Sequence, residues 1–219
     1  MLLGHYAAGL AAKRFSPVVS LGTMFIATQL LDLLWGTLVA LGVEHVRIVP
    51  GITAFTPFHF ISYPYSHSLL LAAVWATLFA LLLFFTKRTA RGALVVWAVV
   101  LSHWFLDWVT HRQDLPFLPV EGSGRHGLGL WHSVPLTFLV EGLFFAFGLW
   151  LYLRATRARD KVGSRAFWAM IGLMLVIYVA SPMMTPPEDP QALGSSALLL
   201  VFFGAWAYWV DRHREPRAG

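Results

Sequence analysis

Long apolar runs separated by short polar breaks organise the chain. A helix needs about 20 mostly apolar residues to cross the hydrocarbon core of a bilayer. Six stretches meet or approach that length: residues 16–41, 67–86, 92–110, 132–153, 166–185 and 194–210. An amphipathic stretch, residues 1–12, precedes them and ends at Lys13-Arg14. Its charges follow the apolar run, the reverse of a cleaved signal peptide. At about 18 Å as a helix it is too short to span, so the pattern predicts a half-inserted or re-entrant helix. The expected fold is all-α: a polytopic membrane helical bundle of about six transmembrane helices plus a short N-terminal half-inserted helix. Residues 1–219 read as one membrane domain, with motif-bearing helices in 1–145 and additional spans and a cytoplasmic tail in 146–219.

Composition supports the same class. Of 219 residues, 58% are hydrophobic and 12% charged, with a mean hydropathy of +0.65. A soluble domain carries about 25% charged residues, so an ordinary cytosolic globule is excluded, as is disorder. There is no cysteine, hence no disulfide framework, thiolate nucleophile or thiolate-held metal. Any metal must use His, Asp or Glu.

The net charge of +5 is a topology signal. Thirteen of the 16 Lys and Arg fall at one set of helix ends, leaving Arg47, Arg112 and Arg125 on the other. The bias places the thirteen, and both termini, on the cytoplasmic side. No basic patch or motif for nucleic acid stands out; the expected partner is the lipid bilayer. The two outer loops, residues 44–66 and 111–131, are rich in Pro, Gly and aromatics and read as caps over the bundle, able to fold over one face as a lid.

Asp32, Asp107 and Glu141 sit inside spans. Each charged group at mid-bilayer costs about 2.5–3.5 kcal/mol on insertion scales. The spans hold no Lys or Arg to offset that cost, which leaves histidines, hydroxyls, water or a bound cation as partners. The strongest constellation is Ser102-His103-Trp104-Phe105-Leu106-Asp107-Trp108-Val109-Thr110-His111. His103, Asp107 and His111 follow at i, i+4 and i+8, within a helical arc of about 80°. Side-by-side ligands at i, i+4 are the geometry of helical zinc motifs. Imidazole and carboxylate donors suit zinc, and also manganese or iron; the alternative is a polar stripe facing a water-filled cavity. His67 opens the second span, where Ser66 can cap the helix. By helical rise, Asp32, His67, His103 and Asp107 share the outer half of the bundle, with Glu141 near the level of His103. His5 joins them only if residues 1–12 turn back into the bundle from Lys13.

These residues also carry a resemblance. Gly4-His5, an Asp late in an apolar run (Asp32), a Ser-His-Ser-Leu-Leu box from Ser66 to Leu70 and a Ser-His-x-x-x-Asp box from Ser102 to Asp107 occur in that order. The set resembles the YdjM-like family of bacterial inner-membrane proteins, described as predicted metal-dependent hydrolases, over about residues 1–145. The resemblance implies a bacterial inner-membrane location and a metal site at His5, Asp32, His67, His103 and Asp107. Where family members often carry a His-Arg pair before the Ser-His-Ser box, this chain has Ser62-Tyr63, and no acid follows Asp32 closely. Those departures put a two-metal site in question.

Three functions compete. The first is a membrane hydrolase using a divalent metal, zinc before manganese or iron, on a lipid-like or phosphorylated ester at the outer side. Glu141 or His132 would shuttle protons, and Arg112 or Arg125 would hold an anionic group. The second is an ion- or proton-handling transporter using the same His/Asp cluster. The third is a structural membrane protein whose polar groups only join helices.

Overall fold

The computed structural model describes residues 1–120, 122–185 and 189–217. Helix α1 (Leu3–Phe15) is followed by α2 (Leu21–Thr28), α3 (Leu30–Ala40), an antiparallel pair β1 (His45–Ile48) and β2 (Phe58–Ser62), and a single helical turn α4 (Pro64–His67). Then come α5 (Leu69–Lys87), α6 (Ala90–Thr110), a short pair β3 (Leu115–Pro116) and β4 (Arg125–His126), and α7 (Val134–Ala155). Strand β5 (Thr156–Ala158), α8 (Lys161–Ala180), α9 (Pro190–Ser196), α10 (Leu200–Asp211) and strand β6 (Arg214–Pro216) complete the order. The architecture is the all-α polytopic bundle expected from the sequence.

Among the described residues, five helical segments are long and apolar enough to cross a membrane, and α2 with α3 makes a sixth if the bent pair counts as one span. Their outer faces carry Leu78, Leu82, Phe85, Leu143, Phe147, Val176 and Phe202, all exposed. Exposed apolar surface on this scale matches a lipid environment and would be a liability in water. Local chemistry sets the ends. Thr89 caps α6 by accepting from the Gly92 amide at 3.0 Å, and Asp160 caps α8 by accepting from Gly163 at 2.9 Å, satisfying amides that the first turn leaves open.

One expectation changes in detail: the first span is not one helix, since α2 and α3 are bent by 53° at Gln29. For residues 1–12, expected to be half-inserted or re-entrant, the structure chooses between the two. Helix α1 is enclosed on nearly every side, with Leu3, His5, Tyr6, Leu10 and Lys13 all buried, and it packs along α7 and against α2 and α6. It is the re-entrant alternative. Gly148 permits this: a Cβ there would stand 2.8 Å from the Ala7 Cα, so only glycine lets the two backbones approach so closely.

The basic end of the bundle is tied together by chain segments far apart in sequence. Lys13, at the foot of α1, donates to Asp211 Oδ2 at 2.8 Å and to the Val19 carbonyl at 2.9 Å. Strand β5 pairs with β6, and the Arg214 guanidinium lies over the Tyr152 and Phe167 rings at 5.1 and 4.8 Å. From that foot α1 climbs for about 20 Å and delivers His5 to the bundle interior.

Candidate metal centre

The polar side chains that a bilayer should exclude meet in one place. Asp107 on α6 is the hub. Its Oδ1 lies 3.0 Å from His5 Nε2, and its Oδ2 lies 3.0 Å from His103 Nε2, 3.6 Å from His67 Nε2 and 3.9 Å from His111 Nε2. Asp32 Oδ1 faces the same imidazoles from the other side, 3.6 Å from His67 Nε2 and 3.7 Å from His103 Nε2. His5, His67, His103 and Asp107 are buried, while the Asp32 side chain keeps 29% of its surface open.

Each element places its donor for a local reason. The break at Gln29 starts α3 afresh, so Asp32 falls in its first turn, where the helix dipole favours a carboxylate. The same break leaves the Thr28 carbonyl without its helical partner, and His103 Nδ1 lies 2.6 Å from it. A carbonyl only accepts, so Nδ1 carries a proton, and a neutral His103 ring would turn its Nε2 lone pair to the centre. His67 is the last residue of α4, which Pro64 starts by fixing the first helical φ. The Trp104 indole N–H holds the His67 carbonyl at 2.8 Å. Ser68, not Ser66, caps α5, accepting from the Leu71 amide.

Ser66 has a different task. Its hydroxyl donates to Glu44 Oε2 at 2.6 Å and stands 2.7 Å from His67 Nδ1. With its one proton given to Glu44, Ser66 accepts from the imidazole N–H, and His67 Nε2 is left free for the centre. Glu44 is anchored in turn by the Tyr65 and Ser66 amides at 2.8 and 2.9 Å. Burial pushes the Glu44 carboxyl above its usual range, opposed by these Ser66 and Tyr65 donors. His111 follows the same rule: Nδ1 lies 3.0 Å from Asp114 Oδ1, which also accepts from the Tyr63 hydroxyl at 3.1 Å. Burial and then the Asp114 carboxylate raise the Tyr63 hydroxyl well above the ordinary value, so it stays a donor. Three imidazoles thus have one nitrogen held and the other turned to Asp107, the pattern by which outer partners orient metal-binding histidines. Glu44, Asp114 and the Thr28 carbonyl were not foreseen. Asp114, three residues after His111, left a trace in the sequence; Glu44, 22 residues before Ser66, left none.

Other predicted residues lie elsewhere. Glu141 is fully buried and accepts from the Leu2, Leu3 and Gly4 amides at 3.0, 2.9 and 3.3 Å. It caps α1, the job of an N-terminal acceptor, and through α1 it positions His5. His132 closes a 3-10 turn and is exposed; the structure does not bring it to the centre. Arg112 bonds to Asp114 at 3.2 Å, and Arg125 donates to the Ile61 carbonyl at 2.9 Å.

The donor set fits a cation. Donors about 2.0–2.1 Å from a tetrahedral ion stand about 3.3–3.4 Å apart, and the four contacts joining Asp32, His67, His103 and Asp107 run from 3.0 to 3.7 Å. His103 Nε2 and both ring nitrogens of His5 are buried without a hydrogen-bond partner, although acceptor oxygens stand close to both residues. Facing lone pairs repel unless a positive charge lies between them. One proton can bridge one such pair; four converging donors suit an ion. Two triads, His5 with His103 and Asp107, and Asp32 with His67 and His103, could each hold a metal. Two carboxylates, of Asp32 and Asp107, face the imidazoles here. The Met1 ammonium lies 2.5 Å from Asp107 Oδ1, and a cation held by these groups would offset the remaining carboxylate charge.

Among known protein families, the one described as YdjM inner membrane protein matches residues 1–187. The chain belongs to that family. The match runs past residue 145, where the sequence resemblance faded, and takes in α8. Comparisons with curated proteins and with solved structures return no match. Membership in the YdjM inner membrane protein family and the apolar helices together support a membrane location.

The orienting pair beyond His67 can be tested alone. Ser66→Ala removes the hydroxyl that fixes the His67 tautomer, and metal affinity should fall about 10–100-fold, the usual effect of losing such a partner. Ser66→Thr, which keeps the hydroxyl, should bind as wild type does. Competitive metal titration of detergent-purified protein reads both; unchanged binding by Ser66→Ala would remove Glu44 and Ser66 from the account.

Proposed function

We propose that this YdjM-family protein is a metal-dependent membrane hydrolase acting on a lipid-like or phosphorylated ester at the outer side of the membrane. The observation that carries the reading is that Asp32 and Asp107 both face the same two imidazoles, His67 and His103, at 3.0 to 3.7 Å. These four would hold a divalent cation, zinc before manganese or iron by donor chemistry, with His5 and His111 flanking it. Such an ion supplies a Lewis acid that polarises a carbonyl or phosphoryl oxygen and makes water a better nucleophile.

The chain's own residues supply the rest. Asp32, the one donor partly open, marks the side from which a substrate approaches. A cavity of about 280 Å³ on the loop side is lined by Tyr63, Asp114 and Arg125, and Arg125 is placed to meet an anionic group there. Phe60 closes over His111 at 4.8 Å between ring centres and limits water at the centre. His111, oriented by Asp114, replaces His132 as the imidazole placed to accept a proton. The charge bias of the basic residues at the foot of α1 and on β5 and β6 supports a cytoplasmic location for that end, and with it a centre toward the outer leaflet.

The bent first span favours a second reading, since broken helices mark ion sites in transporters. There, freed carbonyls coordinate the ion. Here the Thr28 carbonyl is taken by His103, which favours a fixed centre over a passage. Proteoliposomes separate the two: chelator-sensitive release of phosphate or fatty acid from a lipid ester supports hydrolysis, and ion uptake with no ester turnover supports transport. Glu141→Gln adds a sharper arm. An amide oxygen still accepts from the three α1 amides, so activity should hold within a few-fold. A general acid or base at that position would instead lose about 10²–10⁴ in rate.

A further inference from the structure

A lateral groove on the lipid-facing side is unconnected with the chemistry above. Helices α6 and α7 both seat on α1, and between them lies a cavity of about 460 Å³. Its floor is small (Ala8, Ala11, Ala98) and its walls are aromatic (Trp97, Phe105, Phe147). A second hollow of about 440 Å³ shares Ala8, Ala11, Ala98 and Ser102 with the first and ends at Phe15 and Arg91. The Ser102 hydroxyl donates to the Val99 carbonyl at 2.7 Å, so this polar lining residue has its proton engaged. From Arg91 to Leu106 the groove follows about 22 Å of helix, enough for one leaflet's share, about 15 Å, of the hydrocarbon core.

The lower mouth is positively charged. Arg91 is exposed in the first turn of α6, beside Lys87 and Arg88. That turn contains no acid, and the ion pairs among the described residues engage other cations. A helix N-terminus already favours an anion. An apolar slot one leaflet long, opening at an arginine outside those pairs, is complementary to an amphiphile with a negative head.

We infer that this groove binds one acyl chain of an anionic phospholipid of the inner leaflet, with the headgroup held by Arg91. The head would lie about 24 Å along α6 from Asp107, so this lipid is not the ester of the proposed reaction, and the inference stands whether or not that reaction occurs. The chain packs against α1 along the face that α7 leaves open, and so supports the helix that carries His5.

Native mass spectrometry of the delipidated full chain, offered equal amounts of phosphatidylglycerol and phosphatidylcholine, tests it. Wild type should retain one phosphatidylglycerol with a preference of about fivefold, the worth of one basic residue against an anionic head. Arg91→Gln, an exposed position, should bring the two lipids level. Ala98→Phe, which fills the slot, should lower retention of both. Arg165→Gln, an exposed arginine on α8 away from the groove, should keep the preference. Equal retention of the two lipids by wild type would overturn the inference, as would loss of preference in Arg165→Gln equal to that in Arg91→Gln. Unchanged retention by Ala98→Phe, or a lipid-free dimer covering the groove, would overturn it as well.

Discussion

Asp107→Ala should abolish metal binding and make thermal unfolding indifferent to chelator. The carboxylate meets His5 and His103 at 3.0 Å and also faces His67 and His111; among the described residues no other side chain touches so many donors. Its loss leaves Asp32 as the one carboxylate beside the imidazoles and uncouples the two sides of the site. Affinity should fall by more than the 10–100-fold, roughly, that an outer partner is worth. An ion present at about 1,000 times its Kd stabilises the folded state by about 4 kcal/mol. Chelator should therefore lower the wild-type unfolding temperature and leave that of Asp107→Ala unchanged. Asp107→Asn should behave as the alanine variant does, because a neutral amide cannot balance the ion's charge. A chelator-sensitive Asp107→Ala protein would place the metal elsewhere.

Two glycines on one helix should respond with opposite sign. At Gly148 a side chain would meet the Ala7 backbone, with the Ala7 Cα only 2.8 Å from the new Cβ. Gly148→Leu should drive α1 from its seat, at a cost of about 1–3 kcal/mol for overpacking. It should also weaken metal binding by displacing His5, although Gly148 touches no ligand. Gly142 is also on α7, and a Cβ added there would meet nothing within 4 Å. Gly142→Leu should be neutral or stabilising by up to about 1 kcal/mol through helix propensity. Unfolding temperature and metal titration on the two variants check both signs; equal behaviour would mean that α1 is not held as described.

The spans were legible because a bilayer tolerates only long apolar helices, and the charge asymmetry along the chain agrees with the shared basic end seen in space. The Ser66 and Ser102 boxes were legible because acids and imidazoles inside such helices are costly and here recur at helical spacing. The break at Gln29 was not. It interrupts an apolar run with neither Gly nor Pro, and its cause lies in tertiary contacts, His103 taking the Thr28 carbonyl among them. The enclosure of α1 was half legible: Lys13 fixed its foot, but the glycine that admits it lies 141 residues after Ala7. Glu141 looked catalytic because a buried acid in a span is costly, and three α1 amides offset that cost in a way no local pattern could show. His132 misled for the opposite reason. An end-of-helix histidine looks the same in sequence whether it faces the centre or the water.

The most direct test of the central claim is elemental analysis of the full chain purified in detergent without chelator. Convergence of Asp32, His67, His103 and Asp107 on a cation predicts about one tightly held divalent ion per chain, zinc before manganese or iron, and none in His103→Ala. A wild-type protein that carries no stoichiometric metal and takes none up from a metal-supplemented buffer would contradict it.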